Sequence, residues 1–325
     1  DYWIVKIDEC GTKEWDQSYG GTNGDVLSQV KQTSDGGYII GGYSTSGISG
    51  NKTESLIGSN DYWVVKTDNL GNIEWQNTIG GTSVDELKSI DQTSDGGYIL
   101  AGNSRSNIGG DKTENHFGGL SNDVWVVKLN SFGSIVWQNN IGGGSSEWTG
   151  SITENSDGSF ILAITSSSEA SADKSEGNQD TDGGLISYDM WIVKMSSTGS
   201  IVWENTIGGN DNDWAISAHE VAGGYIVGGF LNSGISADFT ESPIGGAGSN
   251  DCILIYLDSS GTIVWQNRIG GTGHDYMQDL LVTDDGNYLF SGPSYSSVSG
   301  DKTVENFEVI NGDLWFVKTN SAGVV

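Results

Sequence analysis

The sequence is short of proline, cysteine, histidine and positive charge, and each shortage removes a class of answers. Two prolines, Pro243 and Pro293, stand against 50 glycines in 325 residues, the balance of a chain built from tight hairpins. Two cysteines make no disulfide framework. Cys10 falls in a turn and Cys252 just ahead of a strand, at opposite ends of the strand direction, so a bond between them is awkward and both are expected to be free. Only 14 basic residues oppose 43 acidic ones, for a net charge of −29. That balance argues against a nucleic-acid partner, which needs basic patches. It fits a highly soluble secreted protein or one that collects cations. No run of 18 apolar residues exists, so no transmembrane helix is expected. No signal peptide is visible, and a start without methionine is expected of a mature or trimmed product.

What the chain has is a repeat. The marker W-x-V-K and its equivalents place Trp3, Trp63, Trp125, Trp191, Ile253 and Trp315 at spacings of 60, 62, 66, 62 and 62 residues. A second marker tryptophan recurs at Trp15, Trp75, Trp137, Trp203 and Trp265. A period this steady means one supersecondary unit copied in tandem. One unit holds four runs rich in β-branched and aromatic residues: A (Leu87 to Thr93), B (Tyr98 to Gly102), C (Trp125 to Leu129) and D (Ile135 to Ile141). Ser94-Asp95-Gly96-Gly97 joins A to B and Asn130-Ser131-Phe132-Gly133 joins C to D, each with glycine where a hairpin needs positive φ. No segment carries an apolar stripe of helical period. Four antiparallel strands per unit, repeated around an axis, make an all-β fold of the β-propeller kind. A sandwich does not explain the period, and a β-helix needs far shorter repeats. Strand C occurs six times and A, B and D five times each. Five blades are expected, the N-terminal strands completing the C-terminal blade; six blades, one incomplete, is the alternative. The whole of 1–325 is then one propeller, expected to be part of a longer chain with neighbouring domains.

Two motifs carry a resemblance. D-x-W-x-V-K-x-D-x-x-G-x-x-x-W-Q-x-x-I/Y-G-G and S-D-G-G-Y-I-x-x-G, with S-G-x-K-T-E between them, run the length of the chain. They resemble the tandem propeller repeats of large secreted and cell-surface proteins of Bacteroidota, which are often exported by the type IX route, and more loosely kelch repeats. The resemblance implies export and a role in surface display or adhesion, and no enzyme activity.

In an antiparallel meander the tight A–B and C–D turns share one face, and the long B–C loops and D–A crossovers share the other. Binding is expected on the second face, where variable loops sit on a rigid scaffold. Two sets of residues meet there. The first is a carboxylate ahead of each A strand: Asp25, Asp85, Glu147, Asp213 and Asp275. Such a ring could hold a cation or a cationic ligand, or each acid could cap a turn. Beside it stand Val26, Glu86, Trp148, Trp214 and Tyr276. The aromatics Trp148, Trp214 and Tyr276 could stack on a sugar face while the acids take its hydroxyls, or simply thicken the core. The second set is the B–C loop, where Asp111 with Glu114 and Asp173 with Glu176 offer hard oxygen ligands for Ca²⁺. The lysine inside each pair argues instead for a capped turn pinned by an ion pair. His116, His219 and His274 share no metal-ligand spacing, and there is no G-x-S-x-G context and no cysteine paired with a histidine. A carboxylate pair for glycoside cleavage stays open, because a ring of acids always contains pairs. The expectation is therefore a non-catalytic adhesion or binding module for glycan or protein; a structural spacer of a larger appendage and a carbohydrate-active hydrolase or lyase are the alternatives.

Overall fold

The computed structural model describes residues 1–119, 121–179, 187–307 and 312–325. Every regular element among them is a β-strand. The fold is a β-propeller with five blades, made of antiparallel strands. No helix among the described residues is long and apolar enough to cross a membrane. The chain falls into two compact units, Asp1–Glu154 and Asn155–Val325.

The first unit opens with β1 (Tyr2–Ile7) and β2 (Lys13–Tyr19), a hairpin of C and D type. Two complete copies follow. One is β3 (Asp25–Gln32), β4 (Tyr38–Ser44), β5 (Asp61–Thr67) and β6 (Ile73–Ile79). The other is β7 (Asp85–Gln92), β8 (Tyr98–Ser104), β9 (Asp123–Leu129) and β10 (Ile135–Ile141), and the unit ends on β11 (Glu147–Glu154). The second unit holds β12 (Phe160–Ser166), β13 (Asp189–Met195) and β14 (Ile201–Ile207). Then come β15 (Asp213–Val221), β16 (Gly224–Leu231), β17 (Asp251–Asp258) and β18 (Ile263–Ile269). The last copy is β19 (Asp279–Val282), β20 (Tyr288–Ser294) and β21 (Asp313–Thr319), three strands among the described residues. The N-terminal strands were expected to complete that last blade. Instead β1 and β2 form a two-stranded sheet of their own, packed on the β3–β6 sheet. The third B–C connection, expected from Ser166 to Tyr188, is described except for 180–186, which lie outside the described residues.

Within each unit A strands touch A strands: β3 meets β7, β7 meets β11, and β15 meets β19. A is therefore the inner strand of each copy and D the outer. The C strands β5, β9, β13 and β17 are buried on both sides; on β5, Tyr62 and Val64 face the following copy while Trp63 and Val65 face the preceding one. Period-two alternation of large apolar residues is what lets one strand serve both seams. The A–B turn closes by Thr33 N–H donating to Gly37 O at 2.9 Å with Gly36 at φ +86°, a conformation that glycine adopts without strain. The A strands β3, β7 and β15 also carry an irregularity, as between Leu27 and Gln29, that shifts the A–B register by one residue.

Candidate functional site

The carboxylates ahead of the A strands are all buried. Gly21, Gly81, Gly209 and Gly271 donate N–H to Oδ2 of Asp25, Asp85, Asp213 and Asp275 at 2.7–2.9 Å. Serine hydroxyls from the end of strand B complete the shell: Ser104 and Ser106 reach the two oxygens of Asp85 at 2.6 and 2.8 Å. Ser294 and Ser296 do the same for Asp275. Glu147 Oε2 accepts from Gly143 N–H at 3.1 Å. Of the two roles open from the sequence, these hydrogen bonds are those of a turn cap, tying the D–A crossover to the end of strand B. Burial, with the Asp189 carboxylate nearby, pushes Asp213 up to about 8 despite its Ser233 hydrogen bonds.

The B–C loop residues likewise reach different backbone groups. Asp111 Oδ2 accepts from Gly80 N–H of the preceding copy at 3.2 Å, whereas Glu114 Oε2 accepts from Asn140 N–H of its own D strand at 2.7 Å. Glu176 accepts from Thr206 N–H at 3.3 Å, and Asp173 is half-buried at the place of Asp111. Among the described residues no group of three or more His, Cys, Asp or Glu side chains is gathered as a metal site. The lysine between the two acids is not a surface ion pair. Lys112 is buried, bonded to Ser104 Oγ and Asn140 Oδ1 at 2.7 Å each, and lies 5.3 Å from the Trp125 ring centroid. Burial pulls its ammonium down to about 8. Cys10 and Cys252 are both free thiols, the first exposed and the second buried.

What varies among the copies is the residue after each cap. In the first unit it is Val26, Glu86 or Trp148, and Glu86 pairs with Lys88 at 3.0 Å and accepts from Asn60 at 3.2 Å. Trp148, at the start of β11, is half-buried, and its indole N–H has no partner among the described residues. In the second unit the position is aromatic in both copies and belongs to a row of rings. Tyr188 stacks on Trp214 (centroids 5.2 Å apart), Trp214 on Phe230 (6.1 Å), and Phe230 meets Tyr276 edge-on (5.0 Å). Tyr276 in turn contacts His274 and the exposed Tyr295 at 6.1 and 6.2 Å. The first four rings are half-buried, so the row is neither core nor free surface. Asn250 Nδ2 donates to Tyr276 Oη at 3.0 Å and fixes that ring. Two residues beyond Phe230, Asn232 and the loop residues Asp211, Ser242 and Pro243 line an open cavity of about 370 Å³. Asn232 Oδ1 itself is buried, without a hydrogen-bond partner among the described residues.

The sequence thus found Trp214 and Tyr276 but missed Tyr188, Phe230 and Tyr295. Phe230 lies directly across from Trp214 in the β15–β16 ladder. Counting back from the turn misplaces it, because the register slips between Ala215 and Ser217.

No family model matches the chain, and no curated protein matches it. Solved structures do. A Bacteroides caccae protein of unknown function is 12% identical with a TM-score of 0.53, over 99% of this chain and 88% of that one. That likeness shows the fold. A GH43 β-1,3-galactosidase with galactodeoxynojirimycin is 10% identical at TM-score 0.43, over 99% and 96% of the two chains. Kuenenia stuttgartiensis hydrazine synthase is 11% identical at TM-score 0.38, over 84% and 77%. Neither of these last two bears on the chemistry of this chain.

Proposed function

We propose that the protein is a non-catalytic binding module of a secreted or cell-surface protein and takes carbohydrate on its B–C and D–A loop face. The observation that carries this reading is the row Tyr188–Trp214–Phe230–Tyr276, four half-buried rings in contact with one another. Flat apolar rings stack on the C–H faces of a pyranose. A chain of net charge −29 favours neutral glycans over acidic ones. Binding measured on a glycan array and then by calorimetry tests it. Trp214→Ala and Tyr276→Ala are each expected to weaken binding by about tenfold or more, roughly 1.4 kcal/mol, with the melting temperature little changed. An array with no neutral-glycan binder, with capture of sister domains alone, sinks this reading in favour of a spacer. Calcium is tested in the same melts: no shift in excess Ca²⁺ removes it as a cofactor.

A further inference from the structure

The buried lysine of the B–C loop meets a different group from copy to copy. Lys52 donates to the hydroxyl of Thr78 on strand D, at 2.5 Å. Lys174 and Lys302 donate to the amide oxygens of Asn178 and Asn306 in their own loops. Those two amides donate in turn to backbone carbonyls, Asn178 to Ser187 O and Asn306 to Ser294 O. In the second copy the partner is an amide on β10 with an acid behind it. Lys112 Nζ lies 2.7 Å from Asn140 Oδ1, and Asn140 Nδ2 donates to Asp123 Oδ2 at 2.6 Å. Amine, amide and carboxyl follow one another, and the two contacts fix which end of the amide faces which group. Water is shut out: Lys112, Asn140 and Asp123 are 2%, 3% and 0% exposed, and the Trp125 ring lies against the ammonium. Asp123 Oδ1 has no hydrogen-bond partner among the described residues.

We propose that Lys112 and Asn140 join through an amide bond from Nζ to Cγ, with loss of ammonia and with Asp123 as the proton carrier. Burial favours the neutral form of both ionisable partners. It pulls the Lys112 ammonium down to about 8, and it pushes the Asp123 carboxyl up although the Asn140 hydrogen bond opposes the shift. A neutral Nζ carries the lone pair that an attack on a carbonyl carbon needs, and Cγ lies one bond beyond the oxygen it already touches. The Nζ–Cγ bond forms and the Cγ–Nδ2 bond breaks. Asp123 takes the proton that Nζ gives up and delivers it to Nδ2, which leaves as ammonia. One C–N bond replaces another, and neither water nor an oxidant is consumed. Fixed contact in the fold takes the place of a bimolecular encounter. The product closes a covalent ring around β9 in a chain whose two cysteines are free thiols, and like a disulfide it constrains the unfolded chain. This inference does not rest on the carbohydrate reading, whose rings belong to the second unit.

Intact-mass spectrometry of the purified chain, held folded at pH 8 and then denatured, tests it. The mass is expected to fall short of that of the sequence by one ammonia, about 17 Da, and a tryptic digest to contain the Lys112 and Asn140 peptides joined. Asn140→Thr gives this copy the residue that Thr78 and Thr206 supply in others, so it should fold and keep the full mass. Asp123→Asn should form the bond about a hundredfold more slowly or worse. If that variant does not fold, Asn140→Thr and the joined peptide decide alone. A wild type that keeps the full mass overturns the proposal. An equal loss in Asn140→Thr does so too, since it would place the missing ammonia at a succinimide elsewhere. An unchanged rate in Asp123→Asn overturns the part given to the acid.

Discussion

At the level of single residues, the buried cation of each copy is the sharpest case of sequence and structure explaining one another. Lys52, Lys112, Lys174 and Lys302 are buried beside the C strand, and Phe239 takes their place in the fourth copy. There the marker tryptophan is Ile253, and a D-strand residue that is Thr78, Asn140 or Thr206 in earlier copies is Arg268. Arg268 is buried, its Nη1 3.3 Å from Asp251 Oδ2 and its Nη2 donating to Ser233 O at 2.6 Å. The cation has moved from loop to strand, and the carboxylates at the starts of A and C keep one positive neighbour. The odd Phe239 was visible in the sequence; its compensation was not, because Arg268 lies on another strand that local patterns do not connect to it. Removing one partner of a buried ion pair costs about 3–5 kcal/mol, far more than the pair contributes in net terms. Arg268→Thr is therefore expected to destabilise by about that amount in urea unfolding, and adding Phe239→Lys should recover at least half of it. Equal losses in the single and double variants would show that the two sites are not exchangeable.

At the level of elements, the hairpins were legible and their irregularities were not. Ser-Asp-Gly-Gly announced the A–B turn, and in the structure its acid pairs with the lysine of the W-V-V-K marker: Asp35 with Lys66 and Asp95 with Lys128, both at 2.9 Å. Those lysines and the Thr33 and Thr93 hydroxyls hold both carboxyls down at about 2. The fourth copy lost acid and lysine together, and Tyr256 Oη donates to Ala222 O instead. Two departures that looked separate in the sequence are thus one interaction. The B–C loop shows a second regularity hidden from local reading. Gly50, Gly110 and Gly300 sit at φ +59°, +59° and +56°, and the residues in their place in copies three and four are Ala172 and Ala237, at +51° and +44°. A Cβ added at Gly50 would lie 2.2 Å from Gly20 O, so crowding adds to the left-handed strain. An L-residue in that region costs about 1–2 kcal/mol, offset in part by the freedom glycine has when unfolded. Gly50→Ala is expected to destabilise by about 1–2 kcal/mol or more, and Ala237→Gly to stabilise by up to about 1 kcal/mol. Opposite shifts of the two melting temperatures check the pair; a lower melting temperature for Ala237→Gly would count against strain at that turn.

At the level of the molecule, the period alone was enough to give the propeller, while the environment of its first and last copies was not. Trp3 and Trp63 share the same local motif, yet one is 64% exposed and the other fully buried, because burial depends on which copy lies alongside and not on the strand itself. Composition is informative at this scale in another way. The net charge of −29 is spread over a chain whose cap carboxylates are already buried in hydrogen bonds, so the excess is carried mainly by exposed acids. Exposed ion pairs such as Lys318–Asp285 and Lys13–Asp16 contribute at most about 1 kcal/mol each, and salt weakens them. Screening of the like-charge repulsion acts in the opposite direction and over the whole surface, and with three acids for every base it is the larger effect. Raising monovalent salt shortens the Debye length from about 30 Å at 0.01 M to about 10 Å at 0.1 M and about 3 Å at 1 M. The melting temperature is expected to climb by a few degrees over that range, equally in NaCl and KCl. A fall would mean that the surface ion pairs outweigh the net repulsion, and a rise specific to one cation would point to a bound ion in place of general screening.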